Sequence, residues 1–157
     1  MTTMRGGPSG LIVPPLKPAV PPDARAMYPG AAFIAEGLGL AEMSPQAYAA
    51  AIGRAGECAL ALERRGAASA FLFGTSLSFF SGPQGNGGVV ETMRRASGLP
   101  CDTLTAALSR ALASLGVRSF AAVTAYTDEV NALFRAYFEE EGFAIPALEG
   151  MGIAALS

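Results

Sequence analysis

The residues best suited to chemistry in this chain are the hydroxyls of Gly74-Thr75-Ser76-Leu77-Ser78-Phe79-Phe80. Gly74 permits close approach of backbone to a ligand, and Thr75 and Ser76 add O–H donors to the neighbouring N–H groups. Such a cluster suits an anionic oxygen without bringing a full positive charge. The competing reading is a loop whose Ser and Thr side chains satisfy its own backbone, as they often do. The rest of the composition narrows the chemistry further. No histidine occurs among the 157 residues, which excludes Ser-His-Asp triads, Cys-His dyads and His-ligated metals. The two cysteines, Cys58 and Cys101, form no Cys-x-x-Cys pair and are too few for a disulfide framework. Chemistry here has to run on Cys, Tyr, Ser, Thr, carboxylates or backbone groups.

Charge excludes other functions. Eleven Lys and Arg stand against 13 Asp and Glu, for a net charge of −2. Only 15% of residues are charged, against roughly 25% in an average soluble domain. The 51% apolar content excludes disorder, and the lack of a basic field argues against nucleic acid as a partner. No apolar run reaches the ~20 residues of a membrane span, so no membrane partner is expected. The opening residues carry no stretch of signal-peptide length, and with the sparse cysteines this points to a reducing, cytoplasmic setting. The apolar excess implies surface that something else covers, either a further lobe or another copy.

The hydroxyl cluster must be held by an alternation of strands and helices. Leu11-Ile12-Val13 reads as a strand stopped by Pro14 and Pro15. A Pro-rich loop from Lys17 to Asp23 follows, with a helical turn before Pro29 and a second strand over 31–35. Ser44-Pro45 starts a helix whose apolar face runs through Ile52, Ala55, Ala59 and Leu62 to a stop at Gly66. Ala70-Phe71-Leu72-Phe73 has no alternation, the mark of a strand covered on both faces. Beyond the hydroxyl loop, Asn86 is expected to cap a helix ending near Gly98, the glycines before it making the turn. Thr103 is expected to cap a helix with a Leu104, Leu108, Leu112 and Leu115 stripe. A buried strand over 117–123, a helix capped by Thr127 and closed by Gly142, and a last strand over 143–145 complete the series. Phe134, Tyr137 and Phe138 read as core, and Glu139-Glu140-Glu141 as a solvated helix end.

This order predicts an α/β fold: a Rossmann-like or flavodoxin-like parallel four-stranded sheet with helices on both faces. Ligands of such sheets sit in loops beyond the strands' carboxyl ends, here after Val13, Phe73 and Val123. Tyr126 stands out as a donor that follows a strand. The opening βα series also has an echo near residue 117. It suggests one lobe over 1–116 and the opening βαβ segment of an incomplete second lobe over 117–157.

Gly-Thr-Ser-Leu-Ser-Phe at 74–79 resembles a loop of the arylmalonate decarboxylases, within the aspartate/glutamate racemase superfamily. The likeness continues at Leu11-Ile12-Val13-Pro14-Pro15 and Phe33-Ile34-Ala35-Glu36-Gly37-Leu38-Gly39-Leu40. It extends through Ser97-Gly98-Leu99-Pro100-Cys101 and Thr124-Ala125-Tyr126-Thr127-Asp128-Glu129-Val130-Asn131, in one register.

The resemblance implies a pseudo-symmetric two-lobe fold and cofactor-free decarboxylation of disubstituted malonates through an enediolate. Thr75, Ser76 and Tyr126 match the neutral donors that hold one carboxylate, a dioxyanion hole. Pro14, Leu40, Met43, Tyr48, Leu77 and Leu156 match the apolar pocket around the carboxylate that leaves. Gly74 stands where racemases and maleate isomerases of the superfamily carry a cysteine, which disfavours a two-cysteine isomerisation. The family's proton-donating cysteine has no match in this chain, because Cys58 and Cys101 read as buried small hydrophobes. A superfamily isomerase and a non-catalytic carboxylate-binding module are the alternatives.

Overall fold

The computed structural model describes residues 6–153. Its elements run β1 (Ser9–Val13), α1 (Pro22–Met27), β2 (Phe33–Gly37), α2 (Pro45–Ile52), α3 (Ala55–Arg64) and β3 (Ser69–Leu72). They continue with α4 (Thr75–Phe79), α5 (Gly82–Ser97), β4 (Cys101–Thr103) and α6 (Leu104–Ser114). The series ends with β5 (Ala122–Thr124), α7 (Asp128–Glu140) and β6 (Leu148–Gly150). Four strands form a parallel sheet in the order β2-β1-β3-β4, and β5 pairs with β6 in a separate parallel ribbon. The α/β class and the four-stranded parallel sheet are those expected.

Strand order decides where a ligand can sit. The chain passes from β1 outward to β2, then returns across β1 to β3, so the connections leave β1 and β3 in opposite directions. That reversal opens a crevice beyond the carboxyl ends of β1 and β3. Pro14 and Gly74, the residues just past those ends, face each other there.

The two faces of the sheet are covered unequally. On one, Ile12, Ala70 and Leu72 pack with Ala55, Cys58, Ala59 and Leu62 of α3 and Met93 of α5. Ile12, Leu62, Leu72 and Met93 are fully buried, each stabilising the fold by about 1.5–3 kcal/mol. On the other, Leu11, Val13 and Ala35 form a small cluster with Val20, Phe33, Phe71 and Phe73. Helix α1 buries none of its residues.

Local signals fixed the helix starts well. Ser44, Thr103 and Thr127 each accept a hydrogen bond from the N–H three residues on, at 3.3, 3.3 and 3.5 Å. Caps of this kind contribute ~1 kcal/mol each. Gly66 and Gly142 follow α3 and α7 with φ of +81° and +89°, a region that residues with a Cβ rarely adopt.

Other expectations need correction. The helix over 44–66 is broken at Gly53 and Arg54 into α2 and α3. Asn86 is not a cap: it lies buried within α5, and its amide donates to the Tyr137 hydroxyl at 3.1 Å. The hydroxyl loop itself winds into α4. The second strand sits two residues later than expected, at Phe33–Gly37. Strand β4 is short and partly polar, and no apolar run announced it. The strand expected over 117–123 is confined to Ala122–Thr124, and Val123 is 80% exposed rather than buried. The strand expected at 143–145 reduces to a lone bridge between Ala144 and Ser119, the paired strand being Leu148–Gly150.

Helix α6 turns a different face inward from the one its leucines suggested. Thr105 and Ser109 are its buried residues, while Leu108 and Leu115 are exposed.

Candidate functional site

Three loops meet at the carboxyl end of the sheet. The first follows β1, where Leu38 N donates to the Val13 carbonyl at 2.9 Å and Leu40 N to the Pro14 carbonyl at 2.7 Å. These bonds lay the Leu38–Leu40 turn beside Pro14. Arg54 Nη1 donates to the Leu38 carbonyl at 3.1 Å and holds that turn from the far side. The second loop follows β3, where Phe73 N donates to the Ile12 carbonyl at 2.8 Å and Gly74 continues in extended conformation into α4. A Cβ on Gly74 would lie 3.0 Å from Leu77 Cδ1 and 3.3 Å from Pro14 Cγ, so Pro14, Gly74 and Leu77 are packed together.

The third loop follows β5 and carries Tyr126. Its hydroxyl lies 2.5 Å from Thr75 Oγ1, joining residues 51 positions apart. The Tyr126 ring also meets Phe79 of α4 edge to face, with centroids 5.6 Å apart. Either hydroxyl can donate in the Thr75–Tyr126 pair. Whichever does, the proton of the other remains available to an incoming oxygen.

Ser76 is buried beside this pair, and Tyr48 of α2, which has no exposed surface, reaches toward it. Burial pushes the Tyr48 phenol above its ordinary range, the nearby Ser76 hydroxyl lowers it, and Tyr126 raises it further. The two hydroxyls do not close a hydrogen bond, and the Tyr48 oxygen is a buried polar atom without a partner. An orphaned buried hydroxyl costs about 1–3 kcal/mol. It stays neutral at physiological pH and can donate to an acceptor placed beside Ser76.

The structure thus brings together Thr75, Ser76, Tyr126 and Tyr48 as hydroxyl groups, and Pro14, Gly74 and Leu77 as an apolar wall. Leu40 sits in the turn beside Pro14, and Met43 packs half-buried against the core cluster that contains Leu40, Tyr48 and Leu77. Leu156 lies outside the described residues. Tyr48 was expected only as part of the wall; its unpartnered oxygen makes it a polar member of the site as well.

Neither thiol belongs to this group. Cys58 lies on α3 with Sγ 3.7 Å from the Gly37 carbonyl, and Cys101 on β4 with Sγ 3.3 Å from the Leu99 carbonyl. Burial pushes both thiols upward, outweighing the lowering by Arg54 at Cys58 and by Ser97 and Arg94 at Cys101. Both are neutral at pH 7. Among the described residues no group of three or more Cys, Asp or Glu could hold a metal ion. Nor, among them, is any helix long and apolar enough to cross a membrane.

Residues without an obvious chemical signal hold the loops in place. Thr124 Oγ1 accepts from the Tyr126 N–H at 3.2 Å and donates to Asn131 Oδ1 at 2.7 Å, fixing the turn that presents Tyr126. Ser78 and Thr105 hold the Gly74–Thr75 segment in the same way. Ser78 had a readable signal, a hydroxyl three to four residues after a helix start. Thr105 had none, since its partners are distant in sequence.

This fold is shared with enzymes of known activity. The arylmalonate decarboxylase family model matches residues 9–157, and the chain belongs to that family. It is 42% identical over 144 residues to the arylmalonate decarboxylase of Bordetella bronchiseptica, covering 92% of this chain and 60% of that protein. A crystal structure of a doubly substituted arylmalonate decarboxylase in liganded form aligns with a TM-score of 0.90 at 41% identity. The match covers 94% of this chain and 63% of that one. The maleate cis-trans isomerase of Nocardia farcinica shares the fold, with a TM-score of 0.81 at 22% identity over 95% of this chain and 65% of that one. The chain therefore spans about 60% of the length of the curated relative it matches.

Proposed function

We propose that this chain supplies the carboxylate-binding half of a cofactor-independent decarboxylase acting on disubstituted arylmalonates. The observation that carries the reading is the 2.5 Å contact between Thr75 Oγ1 and Tyr126 OH, with Ser76 buried next to it. In this reading Thr75, Ser76 and Tyr126 donate to the carboxylate that is retained. The second carboxylate is pressed against Pro14, Leu40, Met43, Gly74 and Leu77, with Tyr48 completing that wall. An anion there loses water without regaining equal partners, whereas neutral carbon dioxide suits the surface.

The bond from the central carbon to the second carboxylate breaks, and its electron pair passes into the retained carboxylate as an enediolate. Negative charge grows on the oxygens that Thr75, Ser76 and Tyr126 face. Fixed donors therefore stabilise the transition state more than the ground state. A proton from an acid then adds to the central carbon, in place of the carboxylate that has left. The buried, neutral thiols of Cys58 and Cys101 lie outside the crevice, so neither serves as that acid. In this family resemblance the acid is a cysteine with no counterpart in the chain.

That same observation favours a second reading, a module that binds small carboxylates without turning them over. Residues 117–157 fit the opening segment of a second lobe. Exposed Val123, Met151 and Ile153 offer apolar surface that such a lobe, or another copy, would cover. The setting consistent with two unpaired thiols is the cytoplasm.

The experiment is to supply 2-methyl-2-phenylmalonate labelled with carbon-13 in its carboxyls and to follow labelled carbon dioxide, beside calorimetric titration with phenylmalonate. Turnover supports the decarboxylase. Saturable binding without turnover fits both the binding module and a carboxylate-binding half that lacks its acid, and failure of both overturns the site.

A further inference from the structure

The Thr75–Ser76 segment is held from behind by two side chains that face away from the crevice. Ser78, 1% exposed, places Oγ 3.0 Å from the Gly74 carbonyl and 2.9 Å from the Thr75 carbonyl. Thr105, with no exposed surface, places Oγ1 3.0 Å from the same Thr75 carbonyl. The two hydroxyls lie 2.6 Å apart, and the Thr105 N–H points at Ser78 Oγ at 3.3 Å.

Each hydroxyl has one proton to donate, so the cluster can be wired in two directions. The Thr105 N–H donates to Ser78 Oγ in both. Either Ser78 donates to Thr105 Oγ1 and Thr105 to the Thr75 carbonyl, or Thr105 donates to Ser78 Oγ and Ser78 to the Gly74 or Thr75 carbonyl. Every donor is used in each, and each requires the Thr105 hydroxyl. Its place in α6 makes this possible. Thr105 is the second residue of the helix, so its N–H lacks an intrahelical acceptor and its hydroxyl has no helical carbonyl four residues back. Capping of α6 falls to Thr103 instead. Thr105 is thus free to bond across to α4, which explains why it turns inward.

In either direction the chain of donors ends on the backbone from which Thr75 Oγ1 and the Ser76 side chain project. The peptide between Thr75 and Ser76 is trans, so fixing its carbonyl toward Thr105 turns the Ser76 N–H the opposite way. We propose that Thr105, working with Ser78, is a positioning residue that aims the Thr75 and Ser76 donors at the ligand. The proposal rests on the carboxylate-binding reading of that crevice. Thr105 itself touches no ligand.

The test compares Thr105→Val, which keeps shape and removes the hydroxyl, with Thr105→Ser, which keeps the hydroxyl and removes a methyl. Backbone amide spectra of the unliganded chain read the loop directly. In T105V the Thr75 and Ser76 amide resonances move and their hydrogen exchange accelerates about tenfold, the loss expected for one buried hydrogen bond. Resonances of β1 and β2 stay in place. Phenylmalonate affinity falls about tenfold in T105V, and T105S restores both readouts. Ser78→Ala gives the same loop-confined change and serves if T105V is too unstable to study.

Unmoved Thr75 and Ser76 resonances in T105V and S78A would overturn the proposal. So would a T105S that behaves like T105V, because packing of the methyl would then be responsible. If the unsubstituted chain binds no phenylmalonate, the carboxylate reading fails, while the amide spectra still decide whether Thr105 orders the loop.

Discussion

The two loops that meet at Thr75 and Tyr126 are built alike and supported very differently. Each presents a hydroxyl just beyond a parallel strand, and each is braced by a pair of polar side chains. The loop after β3 rises from a strand paired on both sides, and its brace of Ser78 and Thr105 is buried. The loop after β5 rises from a three-residue strand in a two-stranded ribbon, with Val123 80% exposed. Its brace joins Thr124, the last residue of β5, to Asn131 of α7, and that helix is tied to the rest by aromatic packing. The difference teaches that the Thr75 and Ser76 hydroxyls are fixed by the sheet and the Tyr126 hydroxyl by one helix.

The largest effect should come from that packing. Phe138 is fully buried, and its ring centroid lies 4.7 Å from Phe134 and 5.3 Å from Phe120. Phe138→Ala should cost ~3–5 kcal/mol in urea unfolding. Amide exchange should rise first in α7 and around Tyr126, before β1 and β3 respond. A uniform rise across both regions would erase the contrast between the loops.

A narrower break is Thr124→Val, which keeps shape but strands the Tyr126 N–H and buried Asn131 Oδ1. Loss of ~1–3 kcal/mol is expected, with Tyr126 amide exchange increased and that of Thr75 unchanged. Equal response at Thr75 would mean that the two loops are ordered as one unit.

The smallest effect is a pH dependence that belongs to the sheet side. Burial raises the thiols of Cys58 and Cys101 above their ordinary values, so the folded chain keeps protons that the unfolded chain releases. Their contribution is therefore complete below the ordinary thiol range of about 8.5 and is lost as pH rises through the folded values. Tyr48, also raised by burial, adds the same sign from about pH 10. Urea midpoints measured from pH 7 to 10 should fall in the parent chain and fall less in Cys58→Ala. A midpoint that rises with pH would contradict the burial of these groups.

Much of the fold was legible because local signals and tertiary demands agreed. Continuous apolar runs at Leu11 and Ala70 became sheet strands, and Ser44, Thr103 and Thr127 capped helices where their positions predicted. The hydroxyl loop drew notice as glycine, threonine and serine after a buried strand, and both readings of it have a place: Ser78 satisfies the loop's own backbone, while Thr75 reaches Tyr126. Reading failed where partners distant in sequence decide the outcome. The leucine stripe of α6 looked like a core face, yet α4 offers that helix the Thr75 carbonyl and the Ser78 hydroxyl, so Thr105 is what turns inward. The apolar run 117–123 looked like a central strand, but its pairing partner extends over three residues. Tyr48 could be placed near the crevice by resemblance, whereas its unpartnered oxygen required the packing of α2 against Ser76.

The most direct measurement is a residue-resolved titration of the isotope-labelled chain with phenylmalonate, repeated with Ser76→Ala. The expected result is saturable shifts confined to Pro14, Leu40, Tyr48, Thr75, Ser76 and Tyr126, moving together on both loops and lost or sharply weakened in S76A. Shifts on only one loop, or an unchanged response in S76A, would contradict a single carboxylate site joined across Thr75 and Tyr126.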